Sequence, residues 1–216
     1  VDTGRRAPLD RRRVADTALT LLNEVGLDGL TLRAIARELD VKAPALYWHF
    51  KDKQALLDEM ATEMYRRMVA DAPLDPADTW RERLRKTNHA LRTSLLGYRD
   101  GAKVFSGSRF TGGVHAEQME ESLRLLTAAG FTLAQAVRAA TATYMFTLGS
   151  VIEQQGAEPL PGQRREGFDV AERARMLAAY PLTAAAGAEI FADYERHYAE
   201  ALDLVIAGVA AAYGVE

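Results

Sequence analysis

The chain has 216 residues, 48% hydrophobic and 26% charged, a balance that suits one sizeable core or a small domain packed on a larger one and excludes disordered and fibrous classes. Without cysteine it can hold neither a disulfide framework, a thiolate metal site nor a cysteine nucleophile, which fits a reducing, cytoplasmic setting. The formal net charge of −3 is unevenly spread: residues 1–53 hold ten Lys/Arg against eight Asp/Glu, a surplus of +2, while residues 54–216 carry −5.

The chain starts with a basic arm, residues 1–9, whose Arg5 and Arg6 join Arg11, Arg12 and Arg13 in a cluster able to neutralise phosphates. That start lacks the apolar run of a signal peptide, so export is not expected. From Asp10 to Val25, Val14, Ala18, Leu21, Leu22 and Val25 recur at helical spacing, with Asp10 as N-cap and Gly26 as stop. Thr31 caps a second helix with Leu32, Ile35, Ala36 and Leu39 on its inner face. A third follows from Ala43 to His49, with Pro44 suited to its first turn, and a fourth from Lys53 to Val69. Residues 71–79 form a proline-punctuated junction and mark a domain boundary. Beyond it the spacing predicts helices at 80–97, 99–106, 114–129, 132–154, 170–179, 183–193 and 196–213, with a long loop over 155–168. The apolar stretch Phe131 to Ile152 contains Gln135 and Arg138, so no membrane span is expected. The fold class is all-α.

Three short helices and a longer one, with a tight turn after the second, form the arrangement that projects a recognition helix into the major groove. Ala36 is small enough for close helix crossing, and Asp40 stands in the turn, where a left-handed backbone is needed and Asp tolerates it. No catalytic constellation competes: His49, His89, His115 and His197 have no metal-ligand spacing, Ser106-Gly-Ser108 is not a nucleophile elbow, and neither strands nor a phosphate loop are evident. An enzyme is therefore not expected, nor a metal or other cofactor.

Residues 30–53, Leu-Thr-Leu-Arg-Ala-Ile-Ala-Arg-Glu-Leu-Asp-Val-Lys-Ala-Pro-Ala-Leu-Tyr-Trp-His-Phe-Lys-Asp-Lys, resemble the helix-turn-helix of the TetR family. Arg99-Asp-Gly-Ala-Lys-Val104 and Phe146-Thr-Leu-Gly149 look like stretches of the regulatory domain in its tetracycline-responsive subgroup. The resemblance implies a helix-turn-helix domain with linking helix over 10–70 and a ligand-binding and dimerisation domain over 71–216. It puts Arg33, Lys42, Ala43, Pro44, Tyr47, Trp48, His49 and Lys53 at the surface of double-stranded DNA. Arg33 and Lys42 can reach base edges or phosphate; Tyr47, His49 and Lys53 can donate to phosphate; Pro44 or Ala45 can meet a thymine methyl. Tyr47 and Trp48 have the alternative of being core aromatics. Ala43 replaces a base-reading glutamine of the subgroup, so a different operator is expected.

The resemblance further implies a homodimer facing a palindromic operator, its subunits joined by a four-helix bundle. The helices at 132–154 and 196–213 carry small residues suited to close approach: Ala139, Ala140, Thr143 and Gly149 in one, Ala207, Gly208 and Ala211 in the other. Packing within one chain explains the same spacing. The larger domain is expected to enclose a pocket for a small-molecule inducer. Phe105 replaces the subgroup's magnesium-ligating histidine, and Thr87, Leu91 and Met145 replace other drug-contacting residues, while Arg109 and Glu153 are kept and Ser108 stands for threonine. With Phe110, Met119, Ser122 and Tyr144 these residues suggest a largely hydrophobic inducer, with a polycyclic natural product as a fit, bound without magnesium. The same aromatics at helical spacing can be plain core. Heavy use of Ala, Arg and Gly points to a GC-rich genome, where exporter and resistance genes are common targets of such repressors. The rival reading is a dimeric DNA-binding regulator without a small-molecule ligand, answering to a protein partner.

Overall fold

A computed structural model describes residues 9–215. The basic arm up to residue 8 lies outside the described residues. Eleven helices occupy them, with no strand among them. The first, α1 (Arg11–Gly29), starts where the Asp10 carboxylate accepts the Arg13 N–H at 2.8 Å. Its regular geometry breaks at Gly26, at φ 68° and ψ 176°, a conformation that glycine reaches without a Cβ penalty. The expected stop is therefore a kink, with a further short turn to Gly29. Thr31 caps α2 (Leu32–Glu38) through the Ala34 N–H. The turn that follows passes through Asp40 at φ 53°, and Val41 N–H donates back to Ala36 O at 2.9 Å.

Pro44 sits in the first turn of α3 (Ala43–Tyr47). This helix ends two residues earlier than its spacing predicts, because the His49 and Phe50 N–H groups both turn onto Leu46 O. Asp52 caps α4 (Lys53–Asp71), and a Thr79/Glu82 capping box starts α5 (Trp80–Leu96). Next, α6 (Gly101–Phe105) is shorter than expected, since Asp100 adopts φ 56° and starts the helix only after it. Then come α7 (Val114–Ala128) and α8 (Leu133–Ala157). The latter runs three residues past its predicted end: the Gln155 amide donates to Leu95 O and Tyr98 O and its oxygen accepts the Ala102 N–H, which holds the last turn in place. The expected loop thus begins at residue 158. Asp169, Pro181 and Asp193 set the starts of α9 (Val170–Met176), α10 (Pro181–Phe191) and α11 (Tyr194–Tyr213), displacing the last two by two residues from the periodic reading.

Two apolar clusters hold these helices. The larger joins α1–α4 to Leu91, Leu95, Ala102, Phe105 and Val151; the other joins Trp80 and Leu84 to Leu126, Phe131, Ala139, Leu202 and Ile206. The small-residue stripes divide accordingly. Ala139 and Thr143 are buried inside the chain, which corrects their assignment to an intersubunit face. Gly149, Ala207, Gly208 and Ala211 lie on exposed surface together with Leu204. Among the described residues no helix is long and apolar enough to cross a membrane.

Candidate functional site

The first candidate is the outer face of α2 and α3. A five-residue helix cannot stand alone. Leu46, fully buried, anchors α3 in the larger cluster, while Arg33, Lys42 and Pro44 are exposed around it. Tyr47 and Trp48 are 55% and 90% exposed, which removes the core reading for both. Among the described residues Trp48 is the most exposed of the large hydrophobic side chains. Ala43, Ala45 and His49 are half-buried. The His49 backbone carbonyl accepts a hydrogen bond from Arg11 Nη1 at 2.5 Å; Arg11 Nε also reaches Glu59 at 2.8 Å, and its guanidinium lies 4.6 Å above the Phe50 ring. The end of α3 is thereby fixed to the starts of α1 and α4. Lys53 Nζ donates to Leu27 O at 2.9 Å, so one of its three N–H donors holds the end of α1.

The second candidate is a cavity of about 250 Å³ between α4, α5, α6, α7 and α8, whose wall draws on both clusters. Aromatic rings close one side. Phe110 stands at the centre, 5.1 Å from Phe105, 5.2 Å from Tyr65 and stacked on His115 at 4.5 Å. The surroundings are poorly hydrated: burial pushes the Tyr65 phenol up to about 12, raises that of Tyr144, and lowers the His115 imidazole. Of the sequence-named pocket residues, Thr87, Leu91, Phe105 and Phe110 line this space, as do Met119, Ser122 and Tyr144; Gln118 lies beside them.

Four others do not join them, which corrects their assignment to the wall. Ser108 turns its hydroxyl back to Val104 O at 2.7 Å. The Arg109 side chain is exposed, and its backbone N–H donates to Asp58 at 3.0 Å. Met145 follows Tyr144 on α8, so it points about 100° around the helix, 63% exposed on the side of Gly149. Glu153 is exposed further along α8.

Sequence reasoning missed Tyr65, Met68, Arg83, Asn88 and His115, which also line the cavity. Asn88 is internally satisfied: it donates to Leu84 O and accepts from the Thr147 hydroxyl, both at 2.8 Å, and Thr147 in turn pairs with Tyr198. Arg83 is held partly by charge. Its guanidinium is 2% exposed; Nη2 donates to Asp75 O at 3.0 Å, whereas Nε and Nη1 have no hydrogen-bond acceptor. Those two nitrogens are instead ion-paired: Asp78 Oδ2, which has no hydrogen bond of its own, lies 3.8 Å from Nε, and Glu121 lies 3.4 Å from Nη1. Asp78 also pairs closely with Lys86, whose hydrogen bond holds the carboxyl below its usual range. The buried Thr87 hydroxyl likewise has no partner. Among the described residues, no group of three His, Asp or Glu side chains is placed to hold a metal ion.

Two family models match the chain: "Bacterial regulatory proteins, tetR family" over residues 14–60 and "Tetracyclin repressor-like, C-terminal domain" over residues 72–213. The class C tetracycline repressor protein of Escherichia coli is 42% identical over 158 residues, 73% of this chain and 72% of its own length. A possible TetR family transcriptional regulator from Streptomyces coelicolor A3(2) superposes with a TM-score of 0.81 at 36% identity, covering 94% of this chain and 100% of the other. A TetR variant from Acinetobacter baumannii AYE in complex with minocycline gives 0.74 at 34% identity, covering 95% and 99%.

Proposed function

Because the chain belongs to the TetR family, and is thus a non-catalytic, ligand-responsive repressor that binds DNA as a homodimer through a helix-turn-helix, we propose that a small, largely hydrophobic inducer occupies its cavity without magnesium. The observation that carries this reading is the apolar, aromatic-walled cavity with Phe105 in its lining. The resemblance sets that phenyl ring where a histidine would ligate a drug-bound metal. A phenyl ring offers no lone pair to a cation but packs well on a flat polycycle. In this reading residues 10–70 bind a palindromic operator, with Arg33 and Lys42 at base edges or phosphate and Tyr47, His49 and Lys53 along the backbone. Residues 71–216 hold the inducer and the dimer contacts. The regulated gene is an exporter or resistance gene.

A strong response requires the inducer to favour the DNA-free conformation by about 5.5 kcal/mol, enough to carry a 1:99 equilibrium to 99:1. The test is operator release followed by fluorescence anisotropy, on a palindrome selected from a random pool, against polycyclic natural products with and without magnesium. Release by hydrophobic polycycles regardless of magnesium is the expected result. Release by tetracycline only when magnesium is supplied overturns the reading.

A further inference from the structure

We infer that the cavity selects a neutral aromatic inducer by a phenolic hydroxyl, and that His115 is the residue that reads it. The inference rests on the cavity being the inducer site and names the chemistry that site prefers. Three helices each bring one polar ring to the wall: Tyr65 from α4, His115 from α7 and Tyr144 from α8. Among the described residues nothing hydrogen-bonds to either phenol oxygen or to the imidazole nitrogens, and all of these atoms keep accessible surface, in contrast to the sealed Thr87 hydroxyl. Polar groups in an enclosure this apolar find partners in nearly all folded proteins, and here the partner comes from whatever fills the space.

The ring cluster fixes how the imidazole can bind. His115 stacks on Phe110 at 4.5 Å and 19°, and stands edge-on to Tyr65 at 5.3 Å. Its nitrogens lie in the ring plane and remain available. Burial keeps the imidazole neutral, so one nitrogen donates and the other accepts, while the Tyr65 phenol stays protonated and donates. A phenol meets both demands: its O–H goes to the imidazole and its oxygen accepts from Tyr65, with Tyr144 as a further donor. A carbonyl would leave the acceptor nitrogen idle. An anion would lack a counter-charge, because Arg83, the one Lys or Arg in the wall, is already ion-paired to Asp78 and Glu121.

Three probes on one framework separate these contributions: 2-naphthol, 2-methoxynaphthalene, which lacks the hydroxyl proton, and 2-naphthoate, which is an anion. By fluorescence titration the full-length protein is expected to bind 2-naphthol about tenfold more tightly than the methoxy probe, and 2-naphthoate most weakly. His115→Phe, which can keep the stack on Phe110, is expected to erase the naphthol preference and leave methoxynaphthalene affinity in place; His115→Gln should retain part of the preference. Tyr65→Phe is expected to weaken 2-naphthol alone, several-fold, and decides the matter if His115→Phe fails to fold. Equal wild-type affinity for the two neutral probes, a preference that survives His115→Phe, no response to Tyr65→Phe, or tightest uptake of 2-naphthoate overturns phenol recognition and leaves the cavity reading standing. Uptake of none of the probes, or methoxynaphthalene binding that Ala140→Leu in the cavity wall does not reduce, removes both.

Discussion

The helix-turn-helix end and the cavity end of this molecule solve opposite problems. Around α3 the interior is filled, with Leu46, Ile35 and Phe50 fully buried, and the distinctive chemistry is turned outward in Lys42, Tyr47 and Trp48. Between α4 and α8 the interior is hollow, and the distinctive chemistry is turned inward in the ring cluster of Tyr65, Phe105 and Phe110. A DNA-binding surface needs a rigid platform, so its core is closed; under the proposed function the other end is a sensor, which needs room, and packing is given up where the inducer would sit.

Four predictions sharpen or break this contrast. The largest effect is expected from Leu46→Ala, which opens a void under α3: about 2–5 kcal/mol of stability lost, read from urea unfolding. A cost well below that would mean the platform is not closed. Next, Lys42→Ala or Trp48→Ala is expected to weaken operator binding by about 1–3 kcal/mol in anisotropy titrations, with stability held within about 0.5 kcal/mol because the side chains are exposed. Filling the hollow with Ala140→Leu is expected to add about 1–2 kcal/mol to stability and to abolish operator release by any cavity ligand. A stabilised protein that still responds would place the sensor elsewhere.

The smallest effect concerns pH. Burial holds the His115 imidazole below its ordinary value, so the unfolded chain takes a proton more readily than the folded one. The neutral ring's contribution is fully present above about pH 6.5 and is lost as the pH falls toward the lower folded value. Unfolding midpoints should decline over that window in the wild type and decline less in His115→Gln.

The platform was legible in the sequence because its determinants are local. Asp10, Thr31 and Asp52 cap the helices that follow them, Gly26 and Asp40 take the positive φ their places require, and Ile35, Ala36 and Leu39 face inward as their spacing predicts. The cavity was legible only in part, because five helices build it and no spacing reports which of their faces meet. Arg83 sits in Arg81-Glu-Arg-Leu-Arg-Lys86, a run that reads as a solvated face until the structure buries its third residue. Met145 shows the sensitivity: a one-residue change of helical register separates the cavity wall from the outer surface. Tyr65 escaped notice because α4 looks like a connecting rod, yet its ring closes the aromatic side.

The larger apolar cluster bears on how this protein breathes. It begins at Val14 in α1, runs through Met60 and Met64 in α4, and continues without interruption to Leu95, Phe105 and Val151. Amides in the middle of α1 should therefore exchange with solvent deuterium only through openings that also expose α6 and the C-terminal half of α8, at a rate matching the slowest amides of the chain. A helix far in sequence from the cavity would share its protection.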